Sequence, residues 1–69
     1  MRSRKLHIRA AKLVSAMYIA AGKAKTIKAG YALAMKAQIM QAAYILLFKE
    51  NPEFNEARFS RACESVPRD

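Results

Sequence analysis

Apolar side chains recur every three or four positions from about residue 4 to residue 21, which is the spacing of one face of an α-helix. They are Leu6, Ala10, Leu13, Met17 and either Ala20 or Ala21. On the opposite side of the same helix stand Lys5, Arg9 and Lys12, spaced at i, i+4 and i+7. The pattern therefore predicts a first helix, over about residues 4–21, with one apolar and one basic face.

Gly22 and the four residues after it separate this helix from a second periodic segment. A glycine can adopt the left-handed conformation at a helix C-terminus, and Thr26 is a good N-cap for the next helix. A short connection favours a helical hairpin, because it lets two apolar faces bury each other. A single continuous helix bent at Gly22 is the alternative, since the alanines, lysines and isoleucine nearby do not forbid it.

The second helix is predicted over about residues 27–49. Its C-terminal half, residues 39–48, is apolar nearly all the way round, which indicates a helix surrounded by protein. The first helix covers one side and a short third helix another, so the remaining surface is a candidate homodimer contact. Gly30 and Ala34, four residues apart, would permit close approach of a helix on that face.

The end of the second helix is marked by Asn51-Pro52, because proline disfavours helical geometry in the preceding residue and has no backbone donor. Asn55 is a good N-cap for a third helix over about residues 56–63, with Glu56 favourable at the positive end of its dipole.

Phe54 and Phe59 flank that N-cap at the N′ and N4 positions, which is the spacing of a hydrophobic staple. The staple is expected to fold the short helix back onto Leu46 or Leu47. Residues 65–69 are expected to form a frayed tail. The fold class predicted is all-α: a hairpin of two long helices plus a short C-terminal helix.

A chain of 69 residues forms one domain at most, and its small core needs support. Cys63 is the single cysteine and His7 the single histidine, so an intramolecular disulfide or a zinc cluster of Cys and His ligands is not expected. Self-association, as a homodimer, becomes the expected support. The nearest approach to a membrane segment is residues 32–48, which Lys36, Gln38 and Gln41 interrupt, so no transmembrane segment is predicted.

The N-terminus does not read as an export signal, because His7, Arg9 and Lys12 lie where an apolar segment should follow the first basic residues. A lone reduced cysteine is consistent with the cytoplasm, which is the location expected.

The segment from residue 51 to residue 63 carries the pattern Asn-Pro-x-Phe followed by Arg-Phe-x-x-Ala-Cys. It resembles the C-terminal ends of small uncharacterised helical proteins encoded by bacteriophages and other mobile elements. The resemblance covers about a fifth of the chain and implies a bacterial phage or mobile-element origin; it implies no activity. The same residues are also explained by a helix stop, a staple and packing.

The residues typical of catalysis are few, and no enzyme activity, cofactor or metal site is predicted. His7 stands among bases with no carboxylate to orient it, which favours an exposed or interfacial histidine. Cys63 follows Arg58 and Arg61, and cations can lower a thiol pKa, but a small buried hydrophobe beneath the staple is favoured. The glycines stand alone, so there is no phosphate-binding loop.

The formal net charge is +8, and residues 1–49 hold ten lysines and arginines but no acid. An asymmetry of this kind indicates a partner that carries negative charge. The candidate binding residues lie on the first helix and at the predicted turn: Arg2, Arg4, Lys5, Arg9, Lys12, Lys23, Lys25 and Lys28. A solvated surface that keeps a hydrophobic small protein soluble is the other explanation of the same charges.

Two functions follow from these charges. The first is a basic helical accessory protein that binds nucleic acid through phosphates, without sequence-specific readout, since residues 15–35 fit a helix-turn-helix poorly. The alternative is a protein-interaction module or inhibitor that docks on an acidic protein surface, for example a phage-encoded inhibitor of a host defence or nucleoprotein complex. Binding of the first helix to a membrane surface ranks third.

Overall fold

The computed structural model describes residues 2–64, with side chains from Arg4 onward. This part of the chain forms three helices: α1 (Arg2–Gly22), α2 (Ile27–Phe48) and α3 (Glu56–Glu64). The all-α prediction is confirmed, and the observed bounds lie within two residues of those expected. The tail expected to fray, residues 65–69, lies outside the described residues.

The connection between α1 and α2 is a true turn, so the chain is a hairpin and the continuous bent helix is wrong. The Thr26 hydroxyl accepts a 3.0 Å hydrogen bond from the Ala29 backbone N–H, as expected of an N-cap. Gly22, however, does not adopt a positive φ. The Lys23 N–H bonds the carbonyls of Ile19 and Ala20 at 3.2 and 3.1 Å, so α1 ends without a left-handed residue.

Gly30 brings the two long helices together. A Cβ at this position would lie 2.9 Å from the Ala21 carbonyl oxygen and 3.6 Å from the Ala24 Cβ. Gly30 and its neighbour Ala34 are half-buried on the side of α2 that meets α1. The expectation that this pair serves a homodimer face is therefore wrong, because the close approach occurs within the hairpin.

The buried face of α1 is rotated from the one expected. Its buried residues are Ala10, Ala11 and Val14, whereas Leu6 and Leu13 are 55% and 47% exposed. The small side chains of the buried row let α2 and α3 both approach α1 closely. Leucines at the edge of that row cannot enter the same narrow space.

The segment between α2 and α3 follows the local rules that the sequence indicates. Asn51 accepts a 2.9 Å hydrogen bond from the Glu53 N–H through its side chain. Asn55 caps α3 by accepting a 2.9 Å bond from the Arg58 N–H, and the rings of Phe54 and Phe59 lie 5.3 Å apart. The predicted N-cap and hydrophobic staple are thus confirmed.

The position of α3 differs from the expected one. This helix packs mainly along α1, and Leu46 and Leu47 remain exposed. Phe59, which is buried, meets α2 instead at the ring of Phe48, with 6.0 Å between the ring centroids. The staple fixes how the chain enters α3, but it does not choose the surface on which α3 docks.

An aromatic cluster joins the three helices at the end of the hairpin remote from the turn. The His7 ring lies 4.5 Å from the ring of Phe48 and 4.9 Å from that of Phe54. Tyr44 stacks on Phe48 at 5.6 Å with an interplanar angle of 8°, and Phe59 meets both rings edge-on. His7 is therefore a half-buried packing residue of this cluster.

Candidate binding surfaces

The basic row of α1 is exposed. Lys5, Arg9 and Lys12 lie on the side of the helix opposite the buried Ala10–Val14 row, so their ammonium and guanidinium groups face solvent. Arg4 is also exposed. The side chain of Arg2 lies outside the described side chains, and its predicted role stays a prediction.

The lysines near the turn are exposed as well. Lys23 and Lys25 lie in the connection, and Lys28 lies in the first turn of α2. The structure thus places the described candidate bases in two groups, one along α1 and one at the opposite end from the aromatic cluster. In both groups the charged side chains face solvent, and none of these bases is part of the core.

The outer half of α2 forms an exposed apolar surface, which we call the α2 face. Its large side chains are between 42% and 92% exposed: Ile27, Tyr31, Met35, Ile39, Leu46 and Leu47. The buried residues of this helix are Ala37, Gln41 and Phe48 on the inner side. Sequence reasoning expected uncovered surface on this helix, but it did not identify the residues, since nearly every position of residues 39–48 is apolar.

The charged residues on the outer half of α2 are all lysines. Lys28 and Lys36 are exposed there together with the neutral Gln38, and α2 contains no acid. The α2 face is therefore apolar, with two lysines among its exposed side chains. A partner that covers it must supply apolar area and gains most if it also supplies carboxylates.

A groove of about 780 Å³ lies between the N-terminal half of α1 and α3. We call it the α1/α3 groove. Its lining residues are Arg4, His7, Ile8, Ala11, Glu53, Phe54, Asn55, Arg58, Phe59 and Ala62. Sequence reasoning missed this groove, because α3 was expected on Leu46 or Leu47 and not along α1.

Cys63 is fully buried, as the packing interpretation expected. Burial and, secondly, the neighbouring Glu64 carboxylate raise the pKa of its thiol to about 11. A thiol of this kind stays protonated near neutrality and is a poor nucleophile. Arg58 and Arg61 are exposed and are not among the causes of this shift.

Within residues 2–64, no three His, Cys, Asp or Glu side chains come together as metal ligands. By length and composition alone, α2 would be able to cross a membrane. Within its most apolar stretch of 18 residues, 17% is buried inside the structure. A core helix of a soluble protein or a signal sequence would also satisfy these criteria, so they do not assign α2 to a bilayer.

Comparisons of the chain with protein-family models, with curated proteins and with solved structures give no match to any of them. The resemblance of the C-terminal segment to phage-encoded proteins thus stays a prediction. The α2 face, the exposed bases and the α1/α3 groove are the surfaces through which the protein could act.

Proposed function

We propose that this protein is a protein-interaction module that binds an acidic partner protein through the α2 face. The observation that carries the proposal is the exposure of six large apolar side chains on one helix of a chain this small. Contiguous exposed apolar surface in a soluble protein marks interaction sites, whereas scattered single residues do not. Tyr31, Met35 and Ile39 follow each other at i+4 spacing, which makes the surface continuous along the helix.

The chemistry of the partner follows from the charges on the α2 face. Lys28 and Lys36 are exposed on this face, and the first 49 residues of the chain hold no acid. A second copy pairing through the same helix would add the same lysines without a carboxylate between them. The partner must supply apolar area and carboxylates. An amphipathic helix with aspartates or glutamates beside an apolar stripe supplies both.

The test is capture from a bacterial lysate, with and without nuclease treatment, using matched variants of the α2 face. Ile39→Gln with Leu46→Gln removes apolar area from exposed positions and should leave the fold intact. Leu6→Gln with Leu13→Gln makes the same chemical change at exposed positions of α1 and serves as the control. We expect one acidic protein to be captured by the parent and the α1 control and lost with the α2 variant.

The same capture is repeated with the purified partner, and binding is measured directly. The proposal is contradicted if the α2 variant binds the partner as the parent does, or if nuclease treatment removes the captured material. Sedimentation of the purified protein alone tests whether a second copy of the chain covers the α2 face. If the parent self-associates at micromolar concentration and the α2 variant does not, the occupant of the α2 face is a second copy.

Nucleic-acid binding is the second candidate function, and the exposed basic row of α1 favours it. Lys5, Arg9 and Lys12 are spaced along one solvent-facing side of the helix, away from the α2 contact. Such a row can neutralise phosphates and release counterions without reading bases. It ranks below protein binding because it leaves the α2 face unexplained.

An inhibitor of a host defence or nucleoprotein complex would be one concrete form of the interaction module. That form rests on the C-terminal resemblance together with the α2 face. It would act in the cytoplasm, because a lone reduced cysteine is consistent with that compartment. The capture experiment identifies the partner class directly.

A further inference from the structure

We propose that the α1/α3 groove is a binding site for a small organic anion with an aromatic or aliphatic body. The site is separate from the α2 face, because the groove is lined by α1, by the segment before α3 and by α3 itself. Its volume of about 780 Å³ is in the range of clefts that hold small molecules.

The floor of the groove is apolar and aromatic. Phe59 is buried and Phe54 half-buried, and the His7 ring stands 4.9 Å from that of Phe54. Ala11 and Ala62 contribute small side chains from the two facing helices, which leaves the space open. Flat rings of this kind bind an aromatic or aliphatic body by apolar contact and stacking.

The charges around the groove select an anion. Arg4 from α1 and Arg58 from α3 are both exposed and line it, and Glu53 is the carboxylate that opposes them. Two guanidinium groups against one carboxylate leave a net positive charge at the rim. A guanidinium binds a carboxylate or a phosphate ester by paired, charge-assisted hydrogen bonds, so both anions share the required chemistry.

Three probes of one size separate charge from shape: 1-naphthoate, 1-naphthyl phosphate and the neutral 1-naphthalenemethanol. Binding is followed through the backbone amide signals of Ala11 and Ala62 in two-dimensional NMR. We expect both anions to shift these signals saturably and the neutral alcohol to bind about tenfold more weakly, as loss of a charge-assisted contact implies. The ratio between the two anions identifies which head group the site prefers.

Variants of the two arginines test the site itself. Arg58→Gln and Arg4→Gln should each raise the Kd of the preferred anion about tenfold. Arg61→Gln is the matched control, because Arg61 is exposed on α3 but does not line the groove. Ala62→Leu should abolish binding by filling the groove, whereas Ala57→Leu, at an exposed position outside it, should not.

The proposal is overturned if neither anion shifts the groove amides at millimolar concentration, or if the alcohol binds as tightly as the anions. An equal effect of Arg58→Gln and Arg61→Gln would reduce the site to general attraction by a basic protein. The Ile39→Gln, Leu46→Gln variant should bind the probes like the parent. This site and the α2 interaction therefore stand or fall independently.

Discussion

The Tyr18 hydroxyl on α1 donates a 3.1 Å hydrogen bond to Oε1 of Gln41 on α2. Gln41 is buried, with 9% of its surface exposed, and its Nε2 donates in turn to Oε2 of Glu64 on α3 at 3.4 Å. One glutamine side chain thus links all three helices. The other buried residues of the described part of the chain are apolar, so this chain of bonds favours one relative position of the three helices.

Loss of the Tyr18 hydroxyl should therefore lower the free energy of unfolding more than the small size of this group suggests. Tyr18→Phe leaves the buried Gln41 carbonyl without its donor, and the free energy of unfolding should fall by about 1–3 kcal/mol in urea titrations. Adding Gln41→Leu removes the orphaned acceptor, so the double variant should recover part of that loss. Strict additivity of the two single effects would contradict the coupling.

Stability should fall at alkaline pH through Cys63. Burial and then Glu64 raise the pKa of this thiol from 9.0 to about 11 in the folded protein. Below the unfolded value the thiol is neutral in both states and its contribution is fully present. As pH rises from 9.0 towards about 11, the Cys63 thiol loses its proton in the unfolded chain before it does so in the folded protein. The folded state therefore loses stability over this range.

Unfolding measured from pH 8 to about pH 11 should show a shallower decline for Cys63→Ala than for the parent. A decline remains in the variant, because burial, Glu64 and Cys63 also raise the pKa of Tyr18, and removing Cys63 leaves the first two causes. Parallel curves for parent and variant would show that Cys63 ionises equally in both states.

The two glycines should respond oppositely to the same substitution. Gly22→Ala adds a Cβ with no atom within 4 Å, at a helical position without positive φ, and should stabilise by about 0.5–1 kcal/mol. Gly30→Ala forces a Cβ to within 2.9 Å of a backbone oxygen and should destabilise by about 1–3 kcal/mol. Thermal unfolding of both variants checks the pair, and an equal shift would mean that the helices separate freely.

Truncation of Phe59 should undock α3. Phe59→Ala removes a buried ring from the aromatic cluster and should cost about 2–4 kcal/mol, with Phe59→Leu as a milder variant if the first does not fold. Leu47→Ala is the control, because Leu47 is exposed and should change the melting temperature little. A larger effect at Leu47 would place α3 where the sequence alone suggested.

Salt dependence separates phosphate binding from other uses of the basic row. If α1 contacts duplex DNA, log affinity should fall linearly with log salt, by about 0.9 per phosphate neutralised. Replacing Lys5, Arg9 and Lys12 together by glutamine should lower that slope by up to about three and weaken binding to unrelated sequences alike.

The matched control for that variant replaces Lys36, Lys49 and Arg61 by glutamine, which removes the same charge from other exposed positions. Fluorescence anisotropy with labelled duplex and single strands measures both variants. Equal slopes for the two variants, or no binding by the parent at moderate salt, would remove nucleic acid as the partner of α1.

The sequence by itself determined where the helices begin and end. Thr26 and Asn55 cap α2 and α3, and the Phe54–Phe59 pair is a staple, as the hydrogen bonds and ring distances show. The helix α2 ends at Phe48, shortly before Asn51-Pro52. These features depend on contacts within about five residues of the chain, so the local pattern contains all the information required.

The tertiary structure alone decided which apolar residues are buried. The three helices leave large apolar side chains exposed, and periodicity does not rank Leu13 against Val14 or Leu47 against Phe48. Val14 and Phe48 are buried, whereas Leu13 and Leu47 are exposed. The small residues around Val14 permit close approach of the helices, and the aromatic rings around Phe48 fill the space between them. The α2 face and the α1/α3 groove follow from that choice, and local pattern could not reveal either one.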